Sequence, residues 1–108
     1  FKETCPDLRH TKVLSIVRTL SDYNCNVVIS DAYAQKDEVK NQFGFNLVSL
    51  NQVKKQDAVI LAVAHDPYIS LKIGDWTRML NGNSILMDVK SIYPKKMFKN
   101  SDISHWRL

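Results

Sequence analysis

Asp57-Ala-Val-Ile-Leu-Ala-Val-Ala-His-Asp66 is the stretch that decides the fold. Its apolar run, Ala58–Ala64, shows no alternation between apolar and polar side chains. Such a run is typical of a strand buried on both faces, as in a parallel sheet covered by helices. A buried helix is the alternative, but the run is short for a helix and Pro67 follows it closely. We therefore predict a central strand that ends at His65 and Asp66.

The residues before this strand alternate between helical and extended patterns. Apolar residues at helical spacing predict an amphipathic helix over about 11–22. Val27–Ile29 indicate a short buried strand over 26–30, and a helix over 36–43 is stopped by Gly44. A short edge strand is expected over 45–50.

The residues after the strand repeat the pattern. Asp66 and Pro67 are the residue types favoured at a helix cap and first position, so we predict a helix from Pro67 to about Leu80, either continuous or divided at Gly74 into 67–73 and 75–80. A turn at 81–83 precedes a third buried strand, 84–89. The tail, 92–108, is less regular, and four of its residues are expected to pack in the interior: Tyr93, Phe98, Ile103 and Trp106.

This order of strands and helices predicts an α/β fold. We expect one three-layer α/β/α domain over residues 1–108, with a mainly parallel sheet and right-handed crossovers. In such sheets ligands bind where the carboxyl ends of the strands meet the following loops. The polar residues that follow each strand should therefore share one rim.

Composition excludes several classes of protein. No apolar run approaches the roughly 20 residues that cross a bilayer, so we expect no membrane association. The net charge is only +4, and its densest cluster, Lys95, Lys96 and Lys99, accompanies no known nucleic-acid module, so no nucleic-acid partner is expected. Cys5 and Cys25 fit neither a zinc site nor a disulfide scaffold, which favours a reduced, cytoplasmic chain and no metal.

Three cations lie at predicted loops or element ends rather than on helix faces: Lys2, Arg9 and Lys90. They are either solvated surface charges or parts of a phosphate or nucleotide site, since lysine and arginine supply charge and hydrogen-bond donors to phosphates. The spacing alone leaves both interpretations open.

Other polar residues have a structural and a chemical interpretation. His65 and Asp66 could act as an acid–base pair, but a satisfied polar residue and a helix cap fit them better. Asp31 follows a strand as a ribose-binding acid does, but no Gly-x-Gly-x-x-Gly precedes it, so a loop or cap role is favoured. Cys5 has no evident partner base that would make it a nucleophile.

Several stretches together resemble the UDP-binding, C-terminal domain of the UDP-glucose/GDP-mannose dehydrogenase family. They occur in family order over nearly the whole chain: Phe1-Lys2-Glu3 with Asp7-Leu8-Arg9, Ser30–Tyr33, Asp57–His65, Met87–Lys90 and Trp106–Leu108. The Ala-Val-Ala-His-Asp and Asp-Val-Lys forms look most like the bacterial branch that acts on UDP-N-acetylhexosamines and their uronic acids.

The resemblance implies a role within a larger NAD-dependent enzyme. That enzyme oxidises the C6 alcohol of a UDP-sugar to a carboxylate in two steps through a catalytic cysteine, for capsule or O-antigen polysaccharide. In family terms Phe1, Lys2 and Lys90 contact the substrate, and Arg9 reaches the NAD. The family's dimer interface lies in a central region, so the resemblance implies a homo-oligomer.

Two departures from the family pattern qualify this picture. The chain has neither a dinucleotide fingerprint nor a central cysteine segment, so we expect it to be inactive alone, with NAD held mainly by another domain. The family strand that precedes Phe1-Lys2 is also missing, as if truncated. A non-catalytic α/β binding or interaction module of the same fold is the alternative, because fold does not fix function.

Overall fold

The computed structural model describes residues 13–108. The described residues form two compact units, the first ending at Gln52 and the second spanning Val53–Leu108. No helix in the described part has the length and apolar character needed to cross a membrane, and the longest, α1, has 10 residues.

The first unit contains two helices packed on a small apolar core. Helices α1 (Val13–Asp22) and α2 (Lys36–Phe43) confirm the two predicted helices, and α2 ends at Gly44 in the left-handed conformation, φ 76°. The glycine is needed there because a Cβ makes this conformation costly. The core centres on two buried residues and the apolar side chains packed on them: Val39, Leu47, Leu14, Ile29, Ala34, Phe43 and Phe45.

The strands predicted over 26–30 and 45–50 are wrong as continuous strands. A single parallel bridge joins Ile29 to Leu47, and the Val48 amide donates to the Ile29 carbonyl at 2.9 Å. Of the apolar residues 27–29, Val28 is 45% exposed and only Ile29 joins the core. One partly buried side chain, that of Ile29, gives little packing energy to extend the pairing. A 3-10 helix, Leu50–Gln52, follows.

The second unit is built on three parallel strands in the order β1-β2-β3. They are β1 (Gln56–Leu61), β2 (Leu80–Asp88) and β3 (Ser104–Arg107). The predicted α/β class and its parallel sheet are therefore confirmed.

The decisive stretch forms a strand, but its expected position is corrected. Within this unit β2 is central, because it pairs on both sides, whereas β1 pairs with β2 alone. Strand β1 ends at Leu61, where the Val89 amide donates to the Leu61 carbonyl at 3.1 Å. Leu61 and Val63 are buried but Ala58 is exposed, so burial on both faces is not uniform.

The crossover from β1 to β2 is helical, as predicted, with a different break. Helix α3 (Asp66–Ile69) and helix α4 (Ile73–Met79) are separated by residues 70–72, and Gly74 lies inside α4. The Asp75 carboxylate accepts the Lys72 amide at 2.9 Å, which fixes the start of α4 before the glycine.

The turn predicted at 81–83 is also corrected, because β2 already begins at Leu80. The pairing passes from Gln56–Leu80 to Ala58–Ile85, so the extra residues of β2 form an irregularity in the ladder. Asn83 has φ 55°, and the Asn81 side chain donates to Asp57 at 2.9 Å. Asparagine tolerates this conformation within a strand that continues on both sides.

The tail forms a second 3-10 helix, Lys95–Phe98, and the strand β3. Tyr93, Phe98 and Ile103 are buried, as predicted. The prediction for Trp106 is wrong, since its side chain is 63% exposed. Successive strand residues face opposite sides of a sheet, and Trp106 pairs with Met87, itself 42% exposed.

Candidate functional site

A buried carboxylate organises the carboxyl end of β2. Asp88 is 1% exposed. Its Oδ1 accepts the Ile92 amide at 3.0 Å, and its Oδ2 accepts the Tyr93 amide at 3.0 Å and lies 3.1 Å from Nε2 of His105. Both oxygens are thus held, which compensates the cost of burying a polar group.

The strand register explains why these groups meet. Residues 84, 86 and 88 of β2 are buried, whereas residues 85 and 87 are exposed. His105 of β3 lies opposite Leu86 in the parallel ladder and has its side chain on the same buried side, 4% exposed. The loop after β2 then returns its amides to the carboxylate of Asp88, so the end of β2, the loop and β3 are linked.

Tyr93 fixes the far end of that loop. Its hydroxyl donates to the Tyr68 carbonyl. Its ring meets Trp76 edge-on at a centroid distance of 5.9 Å and Phe98 at 6.0 Å. Burial raises the pKa of Tyr93 to about 12, and the carboxylates of Asp88 and Asp75 add to the rise, which the Trp76 side chain opposes only in part. Tyr93 is therefore a neutral donor that ties the loop to helix α3.

Lys90 lies in the loop that this network holds. Val89 and Lys90 form the turn directly after β2, and the Lys90 residue is exposed. The Ser91 amide donates to the Asp88 carbonyl at 3.2 Å, and Ser91 has φ 55°. The predicted position of Lys90 at a strand end is confirmed, and its role in nucleotide binding stays a prediction.

The other predicted site residues, Phe1, Lys2 and Arg9, lie outside the described residues, as does Cys5. Among the described residues, no group of histidine, cysteine, aspartate or glutamate side chains could hold a metal ion. Cys25 is exposed and free of a disulfide.

His65 and Asp66 occupy different environments. His65 is fully buried, with its ring 5.5 Å from that of Tyr68, whereas Asp66 is exposed. His65 takes the helix cap position predicted for Asp66, because its carbonyl accepts the amides of Tyr68 and Ile69. Asp66 instead lies in the first turn. This arrangement favours the structural interpretation over an acid–base pair.

The Asp31 side chain stabilises the loop in which it lies. Its Oδ1 accepts the amides of Tyr33 and Ala34, each at 2.9 Å. Partial burial opposes ionisation, whereas these hydrogen bonds favour the carboxylate, and the pKa of Asp31 lies below its usual value. The loop role predicted for Asp31 is confirmed.

Sequence reasoning missed His105 and the function of Tyr93 as an anchor. The sequence contains one signal for His105. His105 and Trp106 are neighbours in a short terminal stretch with the period of a strand, so their side chains face opposite sides of the sheet. The contact between Asp88 and His105 depends on strand register, which no local pattern in the sequence fixes.

Comparison with known proteins gives one matching family and several relatives. Residues 1–95 match the model of the UDP-binding domain of the UDP-glucose/GDP-mannose dehydrogenase family. The chain is 40% identical over 92 residues to Protein CapL of Staphylococcus aureus, an alignment that covers 85% of this chain and 22% of that protein.

Two further relatives carry the name UDP-N-acetyl-D-glucosamine 6-dehydrogenase. The chain is 33% identical over 94 residues to the Salmonella typhi protein, covering 87% of this chain and 22% of the relative. It is 34% identical over 90 residues to the Pseudomonas aeruginosa protein, covering 83% and 21%. The chain thus spans little more than a fifth of the length of these curated relatives.

Proposed function

Because the chain belongs to the UDP-glucose/GDP-mannose dehydrogenase family, whose UDP-binding domain it matches, we propose that it holds the UDP-sugar of a bacterial 6-dehydrogenase. The proposed substrate is a UDP-N-acetylhexosamine, by analogy with the names of two relatives. Residues 1–108 act as the C-terminal domain of a longer protein. A role in capsule polysaccharide is supported by the similarity to Protein CapL.

The observation that carries this proposal is the fixed loop after β2. Asp88 holds the amides of Ile92 and Tyr93, and the exposed Lys90 lies between these anchors and the strand end. A cation on a loop of defined conformation loses less conformational freedom when it binds a diphosphate. The carboxyl end of a parallel strand is also the usual ligand edge of such sheets.

The remaining site residues enter the proposal through the family resemblance. Phe1 and Lys2 contact the UDP-sugar, and Lys90 assists on the nucleotide. Arg9 reaches the NAD from this side of the cleft.

NAD does not fit the described residues of this chain. The acid that could bind a cofactor ribose, Asp31, is engaged with the amides of Tyr33 and Ala34. The sequence also lacks the glycine-rich turn that admits a pyrophosphate. We assign NAD and the catalytic cysteine to the rest of the longer protein, which is proposed to be a cytoplasmic homo-oligomer, and expect this chain alone to be inactive.

Steady-state kinetics of the longer protein test the proposal. Lys2→Ala is expected to raise the KM for the UDP-sugar by roughly ten- to a hundredfold, because a charge-assisted hydrogen bond contributes about 1.5–3 kcal/mol. Lys54→Ala, which removes an exposed lysine outside the proposed site, is the control. Unchanged KM and kcat in Lys2→Ala would remove Lys2 from the substrate site.

The alternative, a non-catalytic module of the same fold, is not favoured by the names of the relatives. It makes a distinct prediction for the whole gene. An enzyme requires a Gly-x-Gly-x-x-Gly turn and a central cysteine encoded with this domain, whereas a binding module requires neither.

A further inference from the structure

The last strand of the chain reaches the loop that carries Lys90. Strands β2 and β3 are parallel, so both end at the same edge of the sheet, and Asp88 pairs with Arg107 at the last position of their ladder. The loop of residues 89–93 begins directly after Asp88. The end of β3 therefore lies next to the start of this loop and can influence its conformation.

Ser91 makes a direct contact between the loop and the end of β3. Its hydroxyl donates to the carbonyl of Leu108, the residue that follows β3. The Ser91 backbone has φ 55°, a left-handed conformation that residues other than glycine seldom adopt, so surrounding contacts must hold it. Because Ser91 directly follows Lys90, a contact that fixes Ser91 also restricts the backbone at Lys90.

His105 of β3 acts on the same loop through Asp88. A carboxylate only accepts hydrogen bonds, so Nε2 of His105 donates to Oδ2 of Asp88, at 3.1 Å. The same oxygen accepts the Tyr93 amide at 3.0 Å. Both side chains are almost fully buried, so removal of the imidazole leaves this oxygen short of a donor and favours reorientation of the carboxylate. Such a reorientation loosens the hold on the loop amides.

These two contacts reduce the freedom of the loop before any ligand binds. Lys90 is exposed and lies between Asp88 and Ser91, the two residues that β3 contacts. A side chain on a mobile loop must be ordered when it binds, and this ordering lowers the affinity for the ligand. Contacts from β3 that order the loop in advance therefore increase the affinity of Lys90 for a phosphate.

We propose that His105 and Ser91 are positioning residues for the UDP-sugar, through which β3 holds Lys90 in the conformation that binds the nucleotide. Because this role requires Lys90 to contact the UDP-sugar, it rests on the proposed function. Neither positioning residue touches the ligand: His105 acts through the Asp88 carboxylate, and Ser91 through the Leu108 carbonyl. Loss of either contact weakens binding only while Lys90 is present.

Calorimetric titration of the longer protein with UDP tests this role. Ser91→Ala removes one hydroxyl and is expected to raise the Kd for UDP by about two- to tenfold, the cost of ordering one more side chain on binding. Ser70→Ala is the matched control, because the Ser70 hydroxyl also donates to a backbone carbonyl, that of Asp66, at the end of α3. It is expected to leave the Kd unchanged.

The variant Lys90→Ala separates positioning from a general loss of stability. In a protein that already carries Lys90→Ala, Ser91→Ala and His105→Leu are expected to change the Kd no further, because no cation remains to be positioned. A residue that only stabilises the fold would lower the amount of folded protein and leave the Kd of the folded fraction unchanged in both backgrounds.

The route through Asp88 is tested with two variants of His105. His105→Gln is expected to bind UDP nearly as the wild type does, because the glutamine amide can still donate to Oδ2, whereas His105→Leu is expected to bind more weakly. Hydrogen exchange followed by mass spectrometry checks the cause. Without ligand, the amides of Ile92 and Tyr93 are expected to exchange faster in His105→Leu than in His105→Gln.

Two results would overturn the positioning role. One is a loss of UDP affinity in Lys90→Ala with wild-type affinity in Ser91→Ala and His105→Leu; the other is a loss in these two variants that adds in full to that of Lys90→Ala. Ser91→Ala alone decides if His105→Leu does not fold. Wild-type affinity in Lys90→Ala itself would instead remove Lys90 from the proposed function, and the positioning role with it.

Discussion

Asp88 Oδ2 and His105 Nε2 lie 3.1 Å apart across two neighbouring parallel strands, and both side chains are almost fully buried. The same carboxylate accepts the Ile92 and Tyr93 amides. One side chain at the end of β2 therefore sets both the loop that carries Lys90 and the position of the last strand.

Asp88→Ala is expected to destabilise the chain by about 3 kcal/mol or more. It leaves two backbone amides and a buried imidazole without their acceptor, and each unsatisfied buried group costs about 1–3 kcal/mol. Urea unfolding followed by circular dichroism measures the change. Asp102→Ala, at an exposed position in the same unit, is the control and is expected to have little effect. Equal stability of the two variants would contradict the role of Asp88.

His105→Leu is expected to cost more stability than His105→Gln. Leucine fills the buried space but leaves Oδ2 of Asp88 without the imidazole, whereas the glutamine amide can still donate to it. The difference is expected to be about 1–3 kcal/mol, the contribution of a hydrogen bond to a charged group. The free energies of unfolding of both variants in urea check this, and a more stable leucine variant would contradict it.

Tyr93 is expected to make the chain lose stability in alkali. The pKa of Tyr93 is raised to about 12 in the folded chain, from an ordinary value of 10.0. The contribution of Tyr93 to the free energy of unfolding is therefore fully present below about pH 10 and is lost as the pH rises through the pKa that Tyr93 has in the folded chain. Ultraviolet absorbance of the phenolate measures the titration, and unfolding at several alkaline pH values measures the stability.

Tyr93→Phe is the matched variant for this test. It is expected to reduce the alkaline loss of stability while also losing the hydrogen bond to the Tyr68 carbonyl at neutral pH. A normal titration of Tyr93 in the folded wild-type chain would contradict the account of its burial.

Asp31 is expected to show the opposite pH dependence, because its contribution to the stability of the fold is lost in acid rather than in alkali. Its folded pKa is lowered from 3.8, so its contribution is present above that value and is lost as the pH falls through the folded pKa. Asp31→Asn is expected to flatten the acid limb of the stability curve, because the amide does not ionise but its oxygen can still accept a backbone amide. An acid limb identical to that of the wild type would contradict this.

The sequence predicted those features that local patterns determine. The apolar run before His65 indicated β1, the spacing in 13–22 indicated α1, and Gly44 indicated the end of α2. The strand-end position of Lys90 followed from the same patterns.

Features that depend on pairing between distant segments could not be predicted. The start of β2 at Leu80, the exposure of Trp106 and the contact of Asp88 with His105 all follow from the pairing register of the strands. This register is fixed only when β1, β2 and β3 come together in the folded chain. The break between α3 and α4 depends on the hydrogen bond from the Lys72 amide to the Asp75 carboxylate. The possible break at Gly74 is not observed, because this glycine lies inside α4.

The most direct test of the central claim is a titration of the isotope-labelled chain with UDP, followed by amide chemical shifts. The account predicts shifts concentrated at residues 1–9 and 88–93, with those at 88–93 reduced in Lys90→Ala and retained in Lys54→Ala. Absence of shifts in both segments at millimolar UDP, or shifts confined to other parts of the chain, would contradict the assignment of the nucleotide to this edge of the sheet.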